Sequence, residues 1–436
     1  MIFKGEKRKL SKFIKSTIIL IIGGLITKLM NMVIKIATTR LIGVEGMGLY
    51  MLITPTFMLL IALAQFGFPI AISKLVSENK KNNRLLVLGV IPISLFLNFL
   101  IILSLLILSP YLSNNVLKEP RTFYALIAIG LVLPFISISN ILRGYFFGKE
   151  KMIPHVISNI TEDIVRFIAI VVGVPIFLIK GLEYAVAFLV LTNIFSELTS
   201  ILILFFFLPK NFKLEKKDFI PNKAYIKDIL SISLPSTGSR LIGSIGYFFE
   251  PIIITYVLLK VGYSNHYILT EYGIITGYIM PFLLMPSFFT TAISNALIPT
   301  VSSAMANNQK EYAKGKINQA LFFSLIIGVP ITIIFMAFPE ILLKAIYNTT
   351  VGITYLRILA PIFILYYIQI PLTSSLQAMG KAKAAMNGTL QGIIIKTIIL
   401  YVFSSFKIGL WGLIIASSIN IIYVTIHHLK CVYKSF

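Results

Sequence analysis

The fold is decided by long apolar segments, and the plainest of them is residues 85–109, LLVLGVIPISLFLNFLIILSLLILS. Its 25 residues carry no charged side chain, and a transmembrane helix needs about 20 consecutive apolar residues. Strands of an outer-membrane barrel have about ten residues and alternate in polarity. The segment therefore predicts a helix that spans a lipid bilayer.

The same apolar character extends along the whole chain. Of the 436 residues, 57% are hydrophobic and 13% are charged, and the mean hydropathy is +0.90. A soluble protein of this size has far more polar residues. This composition excludes a multidomain soluble enzyme and predicts an all-α polytopic membrane protein.

Loops rich in charged residues, Gly, Pro or Asn divide the apolar sequence into about twelve predicted transmembrane helices. The first six predicted spans are residues 14–36, 49–72, 85–109, 123–142, 154–179 and 184–208. The second six are residues 229–259, 274–305, 317–337, 353–379, 387–406 and 409–428.

The basic residues predict the orientation of these spans. With the N-terminus placed in the cytoplasm, the loops and ends on that side contain 26 of the 39 Lys and Arg residues, the opposite loops contain 8, and 5 lie inside spans. Lys15 and Arg357, close to the start of their spans, are counted here with the adjoining end and loop. Cytoplasmic loops of membrane proteins are enriched in Lys and Arg. The asymmetry predicts two cytoplasmic termini, and basic loops of this kind contact anionic membrane lipids.

Several other classes of function are excluded. The net charge of +23 comes from loop residues that flank apolar runs, so it does not indicate nucleic-acid binding. Residues 144–149 have one residue too few between their glycines for a phosphate-binding loop, which excludes a nucleotide site of that type. The only cysteine, Cys431, excludes a cysteine-based metal site. We expect no cofactor and no metal.

The chain divides into two similar halves. Residues 1–208 are a predicted N-terminal six-helix bundle, residues 209–228 a basic cytoplasmic linker, and residues 229–436 a C-terminal six-helix bundle. Because six spans is an even number, the two halves are parallel repeats. Two six-helix bundles around a central cavity predict a transporter that works by alternating access.

Five cations lie inside predicted spans, namely Lys28, Lys35, Arg166, Arg240 and Lys396. Each costs about 2.5–3.5 kcal/mol at the centre of a membrane helix, so each needs water, a partner or a ligand.

Helical periodicity predicts two polar faces. Lys28, Asn31 and Lys35 share one face of the first span. Arg240, Tyr247 and Glu250 fall within a sector of roughly 80° on the seventh. We expect both faces to line a substrate cavity.

Some of these charges have a structural alternative. Glu162 and Arg166 are four residues apart, so they could neutralise each other. Glu162 and Asp163 are predicted as ion-coupling residues or as a charge pair, and Arg166 is predicted to bind the substrate. Lys28 and Lys396 could extend their amines towards a membrane boundary. A cavity role is favoured for Lys35 and Arg240 because of the cost of burying them.

Two motifs carry a family resemblance. Residues 143–154, RGYFFGKEKMIP, continuing through Glu162 to Arg166, and residues 39–50, TRLIGVEGMGLY, resemble the stage V sporulation protein B and polysaccharide biosynthesis exporter group. That group belongs to the multidrug/oligosaccharidyl-lipid/polysaccharide (MOP) flippase superfamily, which includes lipid II flippases and multidrug and toxin extrusion (MATE) transporters. The pattern of spans extends the resemblance over nearly the whole chain.

The resemblance implies a fold and a substrate. It implies a MATE-like pair of helix bundles that exports a polyprenyl-pyrophosphate-linked saccharide across the bacterial cytoplasmic membrane. The saccharide would be a peptidoglycan precursor or a polysaccharide repeat unit, and undecaprenyl its lipid. Such a protein is a transporter, not an enzyme. Sporulation-type members commonly carry fourteen spans, whereas twelve are predicted here, as in O-antigen-type flippases.

The resemblance also implies positions for the site. Family members of this type place basic residues on the first span and on the seventh or eighth. By position, Lys28, Lys35 and Arg40 match the first set. Arg240 with Glu250 matches a charged pair in the seventh span.

Two other functions remain open at this point. A cation-coupled multidrug exporter would use Glu162, Asp163 and Glu250 to hold a proton or sodium ion and a cationic drug. A non-transporting scaffold for envelope or spore-wall assembly would need no charge inside its spans. Because no ATP motif is present, transport would draw on an ion gradient, the membrane potential or the substrate gradient.

Overall fold

The computed structural model describes residues 2–78, 82–209, 212, 216–220 and 222–436. Within this part of the chain the protein consists of α-helices, with short 3₁₀ and π turns and no β-strand. The helices are α1 Ile2–Gln65, α2 Phe68–Glu78, α3 Asn83–Tyr111, α4 Phe123–Gly148, α5 Met152–Leu178, α6 Leu182–Phe206, α7 Lys223–Val261, α8 Asn265–Gly273, α9 Met280–Leu284, α10 Ser287–Ala306, α11 Lys310–Ala337, α12 Pro339–Tyr347, α13 Ile353–Ala378, α14 Ala382–Ser404 and α15 Trp411–Tyr433.

Ten segments of the described chain are long and apolar enough to cross a membrane. One of them, Ile22–Glu78, is 57 residues long and contains most of the first predicted span and all of the second. The predicted fifth span, residues 154–179, coincides with α5, which is not one of the ten because it holds three charged side chains, Glu162, Asp163 and Arg166. About twelve spans are consistent with this helix content, and the prediction of an all-α membrane protein is confirmed.

Local sequence signals mark where several helices bend or begin. The long α1 is interrupted at Gly43, whose φ of 66° lies in the left-handed region that glycine tolerates. The side chain of Asn82 caps α3 by accepting a hydrogen bond from the Arg84 backbone N–H, and Ser264 caps α8 in the same way from Tyr267. Caps of this type satisfy backbone donors that a helix start leaves free.

The described residues form two compact units. Unit 1 consists of Met1–Ile42 and Leu52–Phe248, and unit 2 of Gly43–Met51 and Phe249–Phe436. The predicted division into 1–208, 209–228 and 229–436 stays a prediction. Part of the predicted linker, residues 210, 211, 213–215 and 221, lies outside the described residues.

Unit 1 is held together by helices packed around α4. Its core includes Phe68 of α2, Leu88 of α3, Phe146 of α4 and Leu204 of α6, all of them buried. The glycines of the 143–154 motif explain part of this packing. A Cβ atom on Gly144 would lie 2.6 Å from the Pro69 carbonyl oxygen, so the absence of a side chain allows the end of α4 to approach the backbone of α2.

Unit 2 is organised around α13, which contacts α10, α11 and α15. Its core includes Val301 of α10, Ile317 of α11, Leu376 of α13 and Val432 of α15. Helices α14 and α15 pack along each other. Each unit therefore has its own apolar core, and the charges described below are exceptions within these helices.

Candidate functional site

Three helices of unit 1 place five charged side chains together. Arg143 lies on α4, Glu162, Asp163 and Arg166 on α5, and Glu197 on α6; we call these five residues the charge cluster. Glu162 is the centre, because its two carboxylate oxygens accept hydrogen bonds from the guanidinium groups of Arg143 and Arg166. Charge-assisted bonds of this kind are among the strongest that side chains form.

The remaining acids of the charge cluster are deeply buried. Asp163 is 3% exposed and its Oδ1 lies 3.8 Å from Arg166 Nη1. Glu197 is 5% exposed, accepts a hydrogen bond from the Ser139 hydroxyl, and lies 3.9 Å from Arg143 Nη2. The arrangement supports the structural alternative for Glu162 and Arg166, because both side chains are occupied by opposite charges.

Serine hydroxyls accept further hydrogen bonds from the two arginines, whose Nε atoms are buried without a partner among the described residues. Arg143 Nη2 donates to Ser200 Oγ over 2.8 Å, and Arg166 Nη2 donates to Ser196 Oγ over 3.3 Å. Both serines are fully buried on α6. Polar groups on α6 therefore stabilise cations that α4 and α5 carry.

Sequence reasoning missed Arg143 as a site residue and left Glu197 undecided between a structural and a functional role. The predicted fourth span ended at residue 142, which placed Arg143 in a loop, whereas α4 continues to Gly148. Glu197 lies inside an apolar helix, and the cost of a buried carboxylate was the signal that could have identified it.

Arg240 is the second predicted cation with a defined partner. It lies half-buried on α7, and its Nη1 donates a hydrogen bond to Gln65 Oε1 over 2.8 Å. Gln65, at the end of α1, is 8% exposed. No carboxylate of the described residues forms an ion pair with Arg240, so its partner is a neutral amide.

The side chains on the predicted polar face of the first span differ in their exposure. Lys28 and Asn31 are exposed, and Lys35 is half-buried. Asn31 Nδ2 donates to the Thr27 carbonyl oxygen over 2.9 Å, which directs it to its own helix. Arg40, close to the break at Gly43, is exposed.

A separate charge pair lies in unit 2. Glu250 of α7 accepts a hydrogen bond from the Lys396 amine of α14. The side-chain exposures of Lys396 and Glu250 are 18% and 13%. Lys396 was weighed between a structural and a functional role, and this contact supports the structural one. Tyr247, predicted to share a face with Glu250, is 57% exposed.

The described residues contain no group of three or more His, Cys, Asp or Glu side chains placed to hold a metal ion. Unit 1 thus holds three sets of candidate site residues, namely the charge cluster, the half-buried Lys35 and the Arg240–Gln65 contact. The pair Glu250–Lys396 belongs to unit 2.

The sequence matches two protein families. Residues 13–305 match the family described as polysaccharide biosynthesis protein, and residues 272–402 match the family described as MatE. Together these matches cover most of the chain, and they overlap at the start of unit 2.

Two bacterial proteins illustrate the similarity. Stage V sporulation protein B of Bacillus subtilis (strain 168) is 36% identical over 435 residues, which cover 97% of this chain and 84% of that protein. Lipid II flippase MurJ of the same organism is 22% identical over 422 residues, or 89% of this chain and 77% of MurJ. The first similarity confirms the predicted family resemblance.

A solved structure shows the same fold. It is the inward-facing conformation of a multidrug resistance MATE family transporter of the MOP superfamily, with a TM-score of 0.71 at 20% sequence identity and coverage of 93% of both chains. At this level of identity the likeness concerns the fold alone. The predicted MOP-type architecture is confirmed by it.

Proposed function

Since the chain belongs to the polysaccharide biosynthesis protein family, we propose that it is a flippase for a saccharide linked to a polyprenyl pyrophosphate. The saccharide is a peptidoglycan precursor or a polysaccharide repeat unit, and it crosses the bacterial cytoplasmic membrane by alternating access. Relatives named as a stage V sporulation protein and as a lipid II flippase support this class of substrate.

The observation that carries the proposal is the environment of Arg240. A half-buried guanidinium in a membrane helix is costly, and its partner Gln65 is neutral. A pyrophosphate supplies the negative charge that Gln65 lacks, and its oxygens accept bidentate hydrogen bonds from arginine. Arg240 therefore contacts the pyrophosphate of the bound substrate.

Lys35 supplies a second cation in the same unit. It is half-buried on α1, before the break at Gly43, whereas Gln65 ends the part of α1 after that break. A lysine amine is a compact point charge that binds phosphate without a fixed geometry. Lys35 and Arg240 would each add a charge-assisted contact to one anionic head group, and Lys28 and Arg40 would attract the substrate from more exposed positions.

The alternative of a cation-coupled drug exporter is less well supported. It requires carboxylates that are available to a cationic drug, but Glu162 is bonded to two arginines and Glu250 to Lys396. The scaffold alternative offers no reason for Arg240, because a scaffold needs no costly charge inside a span.

The test is translocation by the purified protein in liposomes. A fluorescent polyprenyl-pyrophosphate disaccharide should cross the bilayer with the wild-type protein, and Arg240→Ala and Lys35→Ala should each slow it at least tenfold while reconstituting in equal amounts. Ethidium efflux serves as the control for drug export. Normal disaccharide translocation by both variants would exclude the anion site, and ethidium transport that depends on Glu162 or Glu250 would favour the drug exporter.

The proposed orientation has its own measurement. In a Cys431→Ser background of intact cells, a cysteine at Lys314 should resist an impermeant thiol reagent because its loop is predicted to be cytoplasmic. Cysteines at Asn114 and Asn265 should be labelled. Labelling at position 314 would contradict the predicted orientation, in which both termini lie in the cytoplasm.

A further inference from the structure

Four aromatic side chains come together at one end of unit 2. Tyr263 and Tyr267 are stacked, with ring centroids 4.9 Å apart and an interplanar angle of 19°. Tyr355 meets Trp411 edge to face, with centroids 5.0 Å apart. The two pairs are neighbours, because the Tyr267 hydroxyl lies against the backbone of Gly409, two residues before Trp411. We call these four residues the aromatic cluster; all four are half-buried.

The position of the cluster follows from the order of the helices. Tyr263 and Tyr267 flank the start of α8, Tyr355 lies in the first turn of α13, and Trp411 begins α15. The predicted topology places the starts of these three helices on the outer face of the membrane. The cluster therefore lies on the side where an exported substrate would leave.

The rings are held in place by polar and steric contacts. The Tyr355 hydroxyl donates a hydrogen bond to Glu271 Oε2. Gly409 has a φ of 60°, and a Cβ atom there would lie 2.3 Å from the Tyr267 hydroxyl oxygen. The loop before α15 thus needs glycine at this position to accommodate Tyr267, and the cluster is preorganised.

Several polar atoms of the aromatic cluster are available to bind a ligand. Within the described part of the chain, the Trp411 indole N–H and the Tyr263 hydroxyl form no side-chain hydrogen bond, and Glu271 uses only its Oε2. The cluster thus combines aromatic faces with two donors and one carboxylate acceptor. Half-buried aromatic surface with a few fixed polar groups is typical of small-ligand sites.

We infer that the aromatic cluster with Glu271 binds a saccharide ring. A sugar ring has a face of C–H groups that packs on aromatic rings and an edge of hydroxyls that hydrogen-bond to a carboxylate, an indole N–H and a phenol. The inference rests on the proposed function, since it assigns a place on the outer face to the sugar part of the same substrate. The pyrophosphate is bound elsewhere, because Glu271 would repel it.

Interfacial anchoring is the competing role, since Trp and Tyr are enriched where helices leave a bilayer. An anchor, however, needs neither a carboxylate nor mutual packing of its rings. Unit 1 offers a matched comparison, because Tyr124 at the start of α4 and Tyr184 at the start of α6 lie 5.0 Å apart between ring centroids. That pair has the same predicted membrane face and serves as the control.

The chain contains one tryptophan, so Trp411 is an intrinsic probe of the cluster. Purified full-length protein in detergent is titrated with the soluble sugars N,N′-diacetylchitobiose and cellobiose, which carry neither lipid nor phosphate. We expect a saturable change of tryptophan emission with at least one of them. Glu271→Gln should weaken the apparent affinity at least fivefold, and Tyr263→Leu should do the same, whereas Tyr184→Leu should leave it unchanged.

The outcomes separate this inference from the proposed function. Absence of a saturable change up to about 50 mM of either sugar, or equal weakening by Tyr184→Leu and Glu271→Gln, would overturn the inference and leave translocation in liposomes to be judged by Arg240→Ala. Saturable binding lost in Glu271→Gln supports it even if no lipid-linked disaccharide is translocated, in which case only the flippase proposal fails. Trp411→Phe should abolish the signal, which confirms its origin.

Discussion

The charge cluster and the Arg240–Gln65 contact lie in the same unit, yet they meet the cost of a cation inside a membrane helix differently. In the cluster, two arginines face three carboxylates, and Glu162 bonds to both guanidinium groups. Among the described residues, the side-chain partner of Arg240 is the neutral amide of Gln65. In the first arrangement each guanidinium is paired with a carboxylate without a ligand, although Arg143 Nε, Arg166 Nε and Asp163 Oδ2 have no hydrogen-bond partner among the described residues. The second arrangement leaves a positive charge that a ligand can neutralise.

This difference separates a structural role from a binding role. An ion pair buried among helices is costly to break, because the remaining partner keeps its charge in a medium of low dielectric. Replacing a cation opposite a neutral amide removes one charge-assisted hydrogen bond, worth about 1.5–3 kcal/mol, but leaves no buried charge without its counter-charge. Substitutions in the two regions should therefore affect different measurements.

The largest expected effect comes from breaking the charge cluster. Arg143→Met leaves three carboxylates with one guanidinium, so the free energy of unfolding should fall by about 3 kcal/mol or more. Unfolding in mixed micelles of detergent and SDS measures it. The exposed Lys151 provides the control, since Lys151→Met should change the stability by less than about 0.5 kcal/mol.

The net charge of the cluster predicts that a second substitution can partly restore the stability of this variant. Adding Glu162→Gln to Arg143→Met removes one excess negative charge, so the double variant should recover part of the lost stability. If Arg143→Met is as stable as the wild type, the cluster is not the structural element inferred from its contacts.

The second largest effect concerns Arg240. Arg240→Lys keeps the charge but replaces a planar fork with a point charge, so we expect about tenfold slower translocation of the lipid-linked disaccharide. The free energy of unfolding should change by less than about 1 kcal/mol, because a lysine amine keeps the charge and can also donate to Gln65 Oε1. A variant that transports at the wild-type rate would show that Arg240 does not grip the pyrophosphate bidentately.

The comparison also shows what could be predicted from the sequence. Apolar segments such as residues 85–109 predicted the helices, because span length depends on local composition. The pairing of Glu162 with Arg166 followed from their spacing of four residues on one helix. Both inferences use information within a single segment.

Contacts between helices were beyond such reasoning. Arg143 and Glu162 lie on α4 and α5, and Glu250 and Lys396 are 146 residues apart. Helical periodicity shows which residues share a face but not which helix that face meets. Charge alone also misplaced the end of the fourth span, since Arg143 was taken as a loop residue although Glu162 and Ser200 stabilise it inside α4.

A third, smaller effect is expected at the ion pair of unit 2. Glu250→Gln and Lys396→Met should each destabilise the protein, and the double variant should lose about 1 kcal/mol less than the sum of the two. Resistance of cells to ethidium should not change in Glu250→Gln. A coupling energy near zero would mean that Glu250 and Lys396 do not stabilise each other. Glu250 would then, like Arg240, carry a charge that is available to a ligand.

The smallest effect should separate two lysines of one helix face. Lys28 precedes Lys35 by two helical turns, or about 10 Å along α1, and it is exposed where Lys35 is half-buried. An exposed lysine can extend its amine to water or lipid head groups, so its charge is screened and attracts a pyrophosphate weakly. Lys28→Ala should therefore slow translocation only about twofold, against at least tenfold for Lys35→Ala.

Initial rates in liposomes at equal protein content measure both, and the twofold effect should disappear at 0.5 M salt because it is long-range attraction. If Lys28→Ala slows translocation as strongly as Lys35→Ala at high salt, burial does not distinguish binding cations from peripheral ones on this face, and the rule drawn from Arg240 does not extend to α1.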